Sequence, residues 1–235
     1  MGSNLYIPVF HERALHEQLS GQMDLSHLTG EELEGFQPPR VYFVVKRFGE
    51  LMVVVVALPL LLLLSLIAAI LVKAESTGPV FFRQTRIGLH GQCFSITKFR
   101  TMVHNNGNSN KSQFADLQDN RVTRVGRWLR HYRLDEIPQI WNVVRGDMSL
   151  IGPRPEQPTF VEQFKTNIPY YDFRHTVRPG ITGWAQVRYG YASTEDQTRR
   201  KLEYDFFYIK HMSLWLDFNI LLRTLRTILL RKGAR

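Results

Sequence analysis

Apolar and polar positions are distributed very unevenly along this chain. Residues 51–72 hold twenty-two positions without a charge, and only Pro59 and Ser65 interrupt the apolar run. At 1.5 Å per residue that is enough to cross a hydrocarbon core of ~30 Å. It is also longer than an ordinary core helix of a soluble protein. Two readings fit the length: a single spanning helix, or a segment that enters one leaflet, bends and returns. Pro59 removes a backbone hydrogen bond inside the run and favours a bend at Leu58-Pro59. Both flanks are basic, with Lys46 and Arg47 before and Lys73, Arg83 and Arg86 after. A spanning helix usually shows one positive side, so the charges favour return to the same face.

Elsewhere the pattern is mixed. Val80-Phe81-Phe82-Arg83-Gln84 and residues 93–100 alternate apolar and polar positions around the turn-like Ile87-Gly88-Leu89-His90-Gly91, which predicts a β-hairpin. Residues 122–133 have helical spacing, with arginines at 124, 127, 130 and 133 forming one basic face. Gly146 reads as a helix stop, residues 156–174 as helix and loop, 177–187 as a turn beside a β-like run, and 194–209 as a helix. Residues 213–231 form a broad apolar stripe with arginines at 223, 226 and 231, suited to a helix in a membrane interface or to a core helix with a basic tail. Before the long apolar run, residues 5–10 read as a short strand and 25–33 as a short capped turn or helix. Phe36-Gln37-Pro38-Pro39 reads as a linker. The polar stretch 105–120 reads as a loop.

Length and charge narrow the function. The chain has 235 residues, a net charge of +9 and one cysteine, Cys93. An internal disulfide is excluded, which fits a reducing compartment. Residues 1–20 lack the continuous apolar core of a signal peptide. The basic balance points to anionic lipid, phosphorylated substrates or nucleic acid. The basic residues are interleaved with Pro-Gly turns and carboxylates, not gathered in a nucleic-acid-binding motif, so a purely non-enzymatic basic binder fits poorly.

The chemistry concentrates at Arg130-His131-Tyr132-Arg133-Leu134-Asp135-Glu136-Ile137-Pro138-Gln139. Proline is tolerated in a first helical turn and poorly in an interior. Asp135 and Glu136 are therefore placed at or near a helix N-terminus that Ile137-Pro138 opens. There, unpaired N–H groups and the helix dipole favour anions. Two adjacent carboxylates among arginines suit work beside a phosphate and a divalent metal; a simple acidic cap is the plain alternative.

Four motifs then occur in order: Lys98-Phe99-Arg100-Thr101-Met102, the stretch Leu134 to Gln139, Gly146-Asp147-Met148-Ser149-Leu150-Ile151-Gly152-Pro153-Arg154-Pro155, and Val177-Arg178-Pro179-Gly180-Ile181-Thr182-Gly183. Together with the preceding apolar segment they resemble the bacterial sugar transferase family, the monotopic polyprenyl-phosphate phosphoglycosyl transferases. The resemblance covers roughly residues 42–235.

It implies an α+β architecture: a small catalytic domain of helices and a β-hairpin, a re-entrant membrane helix N-terminal to it, and interfacial amphipathic helices. The corresponding division is 1–41 as extension or linker, 42–73 as re-entrant helix, and 74–235 as cytosolic catalytic domain. The implied reaction moves a sugar 1-phosphate from a nucleoside diphosphate sugar, by family expectation a UDP-sugar, to polyprenyl (undecaprenyl) phosphate, releasing UMP. That step initiates surface polysaccharide or glycoconjugate assembly. By resemblance Asp135 is the nucleophile, Glu136 binds the required Mg²⁺, and Arg130 holds the polyprenyl phosphate. Arg154, Arg178, Lys98 and Arg100 are assigned to phosphate or nucleotide. The implied partners are membrane lipid, polyprenyl phosphate and the donor, without nucleic acid, and a homo-oligomer is compatible. The implied location is the cytosolic face of the bacterial inner membrane. The competing class is a membrane-associated glycosyltransferase that releases UDP.

Overall fold

The computed structural model describes residues 12–36, 38–103, 121–190 and 194–230. The expected strand at 5–10 and the expected loop at 105–120 lie outside them. A short N-terminal arm, α1 (Glu12–Ser20) and α2 (Gly30–Glu34), leads into the long α3 (Arg40–Glu75). The hairpin β1 (Phe81–Ile87) and β2 (Cys93–Phe99) follows, pairing antiparallel with Phe81 opposite Phe99 and Ile87 opposite Cys93. Then come α4 (Arg124–His131), a 3₁₀ turn (Leu134–Gln139) and α5 (Ile140–Arg145). Strand β3 (Ser149–Ile151) and α6 (Pro158–Asn167) precede a 3₁₀ turn (Tyr171–Thr176) and β4 (Gly180–Thr182), which pairs parallel with β3. The described chain ends with α7 (Trp184–Arg188), α8 (Glu195–Lys210) and α9 (Leu214–Leu229). It is the α+β arrangement expected, with one helix long and apolar enough to cross a membrane among the described residues.

Local chemistry explains most of these bounds. Thr29 with Glu32 and Thr194 with Gln197 form capping boxes, and Ser213 caps α9. Gly146 ends α5 at φ 93°. Three expectations need correction. The basic helical face stops at Arg130, because α4 ends at His131 and Arg133 adopts φ 54°, outside helical register. Pro138 does not open an α-helix. It lies inside the 3₁₀ turn, and α5 starts at Ile140. The β-like run after Pro179 is only three residues, since Gly183 breaks it and Trp184 begins a helix.

The arm behaves as part of the domain. Met23, Leu28 and Leu33 are buried in the main core with Phe206, Ile209 and Val161. Met23 N–H donates to Glu203 O at 3.1 Å, and the Trp184 indole donates to Gly21 O at 2.8 Å.

Both ends of α3 are fixed to that same domain. At its start, Lys46 Nζ donates to Asp217 at 3.0 Å, to Tyr208 at 2.7 Å and to Ile151 O at 3.0 Å. Tyr42 donates to Asp217 at 2.8 Å, and Glu50 accepts from the Ser149 hydroxyl and Leu150 N–H. At its end, Ala68 and Val72 pack with Phe99 and Leu129. There Glu75 accepts from the N–H groups of Arg124 and Val125 at 2.7 and 2.9 Å, capping α4 from outside. Between these anchors Val56, Leu60, Leu62, Leu63 and Leu66 are exposed. A helix that crossed a bilayer would separate its ends by ~30 Å on opposite sides. Both ends of α3 are thus held by one domain. Apolar side chains of α9 (Leu214, Trp215, Phe218, Leu222) and of α5 (Trp141, Val144) are also exposed.

Candidate active site

The site is built where β2, the Leu134–Gln139 turn and the Pro153-Arg154-Pro155 loop meet. Helix α4 packs against the end of β2 so closely that a Cβ on Gly126 would lie 2.1 Å from Thr101 O, a contact only glycine permits. The chain then turns through Arg133 into the 3₁₀ segment, in which successive side chains diverge by about 120°. Asp135 and Glu136 are therefore neighbours in sequence with different surroundings, although both are buried.

Glu136 faces two cations. Its Oε1 accepts from Lys98 Nζ at 3.0 Å and from Arg154 at 2.5 Å. Burial alone would raise its pKa. Arg154 and Lys98 outweigh that and hold the carboxyl well below the usual range. The pairing is mirrored in Arg154, whose guanidinium the Glu136 charge makes still harder to deprotonate. Lys98 is pulled the other way: burial lowers its pKa, and the Glu136 charge only partly restores it. Asp135 takes no hydrogen bond from the described residues. Burial raises its pKa and the Glu136 charge adds to that, against Lys98, Arg130 and Arg154. The pair thus divides into an anchored carboxylate and an unanchored one.

The remaining predicted residues fall at different distances from this centre. Arg130 lies on α4 with its Nε donating to Thr101 Oγ1 at 2.8 Å, near enough for its charge to favour ionised Asp135. Arg100 is buried and turned toward the end of α3, donating to Ser76 O at 2.7 Å and Ser76 Oγ at 2.8 Å. Arg178 is at the far end of α5, with its Nε donating to Gly146 O at 3.0 Å. There it lines a cavity of about 220 Å³ with Phe43, Arg47 and His90. Neither Asp135 nor Glu136 lines that cavity, so it and the charged centre are separate features.

Among the described residues no group of three or more His, Cys, Asp or Glu could hold a metal by itself. The carboxylate pair offers at most two protein ligands. Two are enough for Mg²⁺ when substrate phosphates and water complete its shell. Glu136 Oε2 takes no hydrogen bond from the described residues, and neither does the adjacent Asp135 carboxyl, so both keep oxygen lone pairs to offer. The donor set fits Mg²⁺ held jointly with a phosphorylated substrate.

Sequence reasoning missed what fixes Arg154 from behind. Arg174 donates to Arg154 O at 2.9 Å and to Asp205 at 2.8 Å, and Lys201 donates to Glu156 at 2.7 Å. These partners are 20 to 45 residues apart, and no local motif marks them.

A family profile described as bacterial sugar transferase matches residues 41–231. The chain is 50% identical over 230 residues to the UDP-N-acetylgalactosamine-undecaprenyl-phosphate N-acetylgalactosaminephosphotransferase of Aeromonas hydrophila, covering 98% of this chain and 54% of that protein. It is 46% identical over 173 residues to a UDP-glucose:undecaprenyl-phosphate glucose-1-phosphate transferase of Caulobacter vibrioides, covering 73% of this chain and 64% of the relative. A protein with the same description from Escherichia coli is 41% identical over 186 residues, covering 77% of this chain and 40% of its own length. The chain thus spans about half the length of these relatives.

Proposed function

The chain belongs to the bacterial sugar transferase family, and from that premise we propose that it transfers a sugar 1-phosphate from a UDP-sugar to undecaprenyl phosphate through a covalent intermediate on Asp135. The observation that carries the mechanism is the division of the carboxylate pair. Glu136 is tied to Arg154 and Lys98, while Asp135 accepts no hydrogen bond from the described residues. A nucleophile needs a free lone pair, whereas a charge anchor needs fixed partners.

In the first step an Asp135 carboxylate oxygen bonds to the phosphorus that carries the sugar. The bond from that phosphorus to the bridging oxygen breaks, and UMP leaves with the oxygen and its electrons. In the second step an oxygen of undecaprenyl phosphate attacks the same phosphorus and the Asp135 carboxylate is released. Mg²⁺ bound at Glu136 and the donor phosphates would neutralise charge that would otherwise repel the nucleophile. Arg154 and Lys98 set the orientation of Glu136 and add positive charge beside the diphosphate. Arg130 is assigned the acceptor phosphate. Arg178 and Arg100 are secondary candidates for phosphate contact. The names of the relatives support the UDP-sugar and undecaprenyl phosphate pair.

Intact mass of the protein mixed with Mg²⁺ and a panel of UDP-sugars, without acceptor, tests the reading. UDP-N-acetylgalactosamine and UDP-glucose belong in the panel because the relatives are named for them. A sugar-phosphate adduct with equimolar UMP is expected. Release of UDP overturns it in favour of a glycosyltransferase.

The acceptor head lies in the membrane plane and the donor is soluble, so a monotopic enzyme on the cytosolic face suits both. With Cys93 replaced by serine, Arg40→Cys and Thr77→Cys probe the two ends of α3 and are both exposed. Both are expected to react with an impermeant maleimide from the cytosolic side only, and labelling from opposite sides rejects re-entry.

A further inference from the structure

The loop carrying Arg154 cannot hold itself in place. Pro153 and Pro155 have no N–H, so two of its residues lack a donor. The structure fixes it instead by its carbonyl groups, which are taken by β4, the Tyr171–Thr176 turn and β1. Pro153 O accepts from Gly180 N–H at 2.9 Å, and Arg154 O from Arg174 at 2.9 Å. Pro155 O accepts from Arg86 at 3.2 Å, and Glu156 O from Ile87 N–H at 3.0 Å.

Arg174 is the most constrained of these donors. Its side chain keeps 3% of its surface, as does that of Asp205. One terminal nitrogen meets the Tyr171 hydroxyl at 2.7 Å. The other bridges Asp205 at 2.8 Å and the Arg154 carbonyl. The planar fork thus ties α8 and the Tyr171–Thr176 turn to the backbone of the residue whose side chain holds Glu136. Taking this charge out of water costs free energy, which close contacts to Asp205, Tyr171 and Arg154 O offset.

We infer that Arg174, oriented by Asp205, is a positioning residue for sugar-phosphate transfer, acting through the Arg154 carbonyl to set the Arg154–Glu136 contact. The inference rests on the reading of Glu136 as part of the transfer site. Lysine at 174 keeps the charge opposite Asp205 but replaces a rigid two-pronged fork by one donating atom, which cannot keep the separate Tyr171 and Arg154 O contacts of the two terminal nitrogens in place.

The test is a double-mutant cycle on the full chain in detergent, scored by nucleotide release with UDP-sugar, Mg²⁺ and undecaprenyl phosphate. Arg174→Lys is expected to lower kcat/KM by about 10- to 100-fold, the scale of a misplaced site group. In an Arg154→Ala background the same substitution is expected to change the rate by less than about 2-fold, because the residue it acts through is gone. An equal loss in both backgrounds overturns the inference, as does a wild-type rate for Arg174→Lys. Should Arg174→Lys not fold, Tyr171→Phe releases one arm of the fork and is run through the same cycle with the same expectation of non-additivity. If the wild type releases UDP in place of UMP, the transfer reading fails, while the cycle is still read on UDP.

Discussion

Asp135→Asn is expected to lower sugar-phosphate transfer by at least about 10³-fold, the loss typical of removing a covalent nucleophile, and to abolish the mass adduct. Asparagine matches aspartate in shape, so the surrounding packing is kept. Its neutral amide oxygen is far less nucleophilic. The effect on stability should have the opposite sign to the effect on rate. The folded-state pKa of Asp135 is raised, first by burial and then by Glu136. A carboxyl with a raised pKa favours folding in its protonated form and loses that contribution as pH rises through the folded value. At neutral pH the ionised form therefore opposes folding, and asparagine relieves it. Tm is expected to stay level or rise in Asp135→Asn, a stability–activity exchange common at catalytic groups. For the same reason the acid limb of kcat/KM in the wild type should lie above the ordinary aspartate value of about 3.9. An adduct formed by the asparagine variant would reject Asp135 as nucleophile.

Glu136→Gln is expected to be costly on both counts. Its folded-state pKa is depressed, because Arg154 and Lys98 outweigh burial. Such a group contributes stability above its unfolded pKa of about 4.3 and loses it as pH falls through the lower folded value. At neutral pH the contribution is fully present, and glutamine removes it while leaving two cations facing a neutral amide. Breaking a buried pair from one side costs about 3–5 kcal/mol. Lys98 and Arg154 keep 19% and 29% of their side-chain surface, so water screens part of this and about 2–3 kcal/mol is expected. For a chain of this size that lowers Tm by roughly 4–12 °C. Transfer should fall about 10²- to 10³-fold, the scale of a lost electrostatic stabiliser, with a higher Mg²⁺ requirement. Two adjacent carboxyls thus answer differently to the same amide replacement: Tm falls for Glu136→Gln and does not fall for Asp135→Asn. Equal shifts would mean that the division of labour between them is wrong.

Much of this site could be read in the chain order. The Asp135-Glu136 pair, the proline-flanked Arg154 and Lys98 before Phe99 stand in motifs that do not depend on the fold to be noticed. The hairpin was legible because alternation has period two, and the start of α9 because Ser213 is a good cap. Arg100 and Arg178 were noticed for the same reason as Arg154, yet one is directed at the end of α3 and the other at the end of α5. Composition and motif say that a guanidinium is wanted; they do not say which carbonyl or carboxylate it will meet.

The sequence by itself determined the ingredients: a long uncharged run interrupted by proline, a basic chain, adjacent carboxylates and arginines beside prolines. These are local properties, set by side-chain chemistry and backbone restriction. Only the tertiary structure decided that both ends of α3 rest on one domain, that the N-terminal arm supplies core residues, and that Glu136 is anchored while Asp135 is not. Those outcomes depend on partners far apart in the chain, 171 residues in the case of Lys46 and Asp217. The direction of a side chain and the field it experiences are fixed by which distant elements pack beside it, and no spacing rule along the chain encodes that.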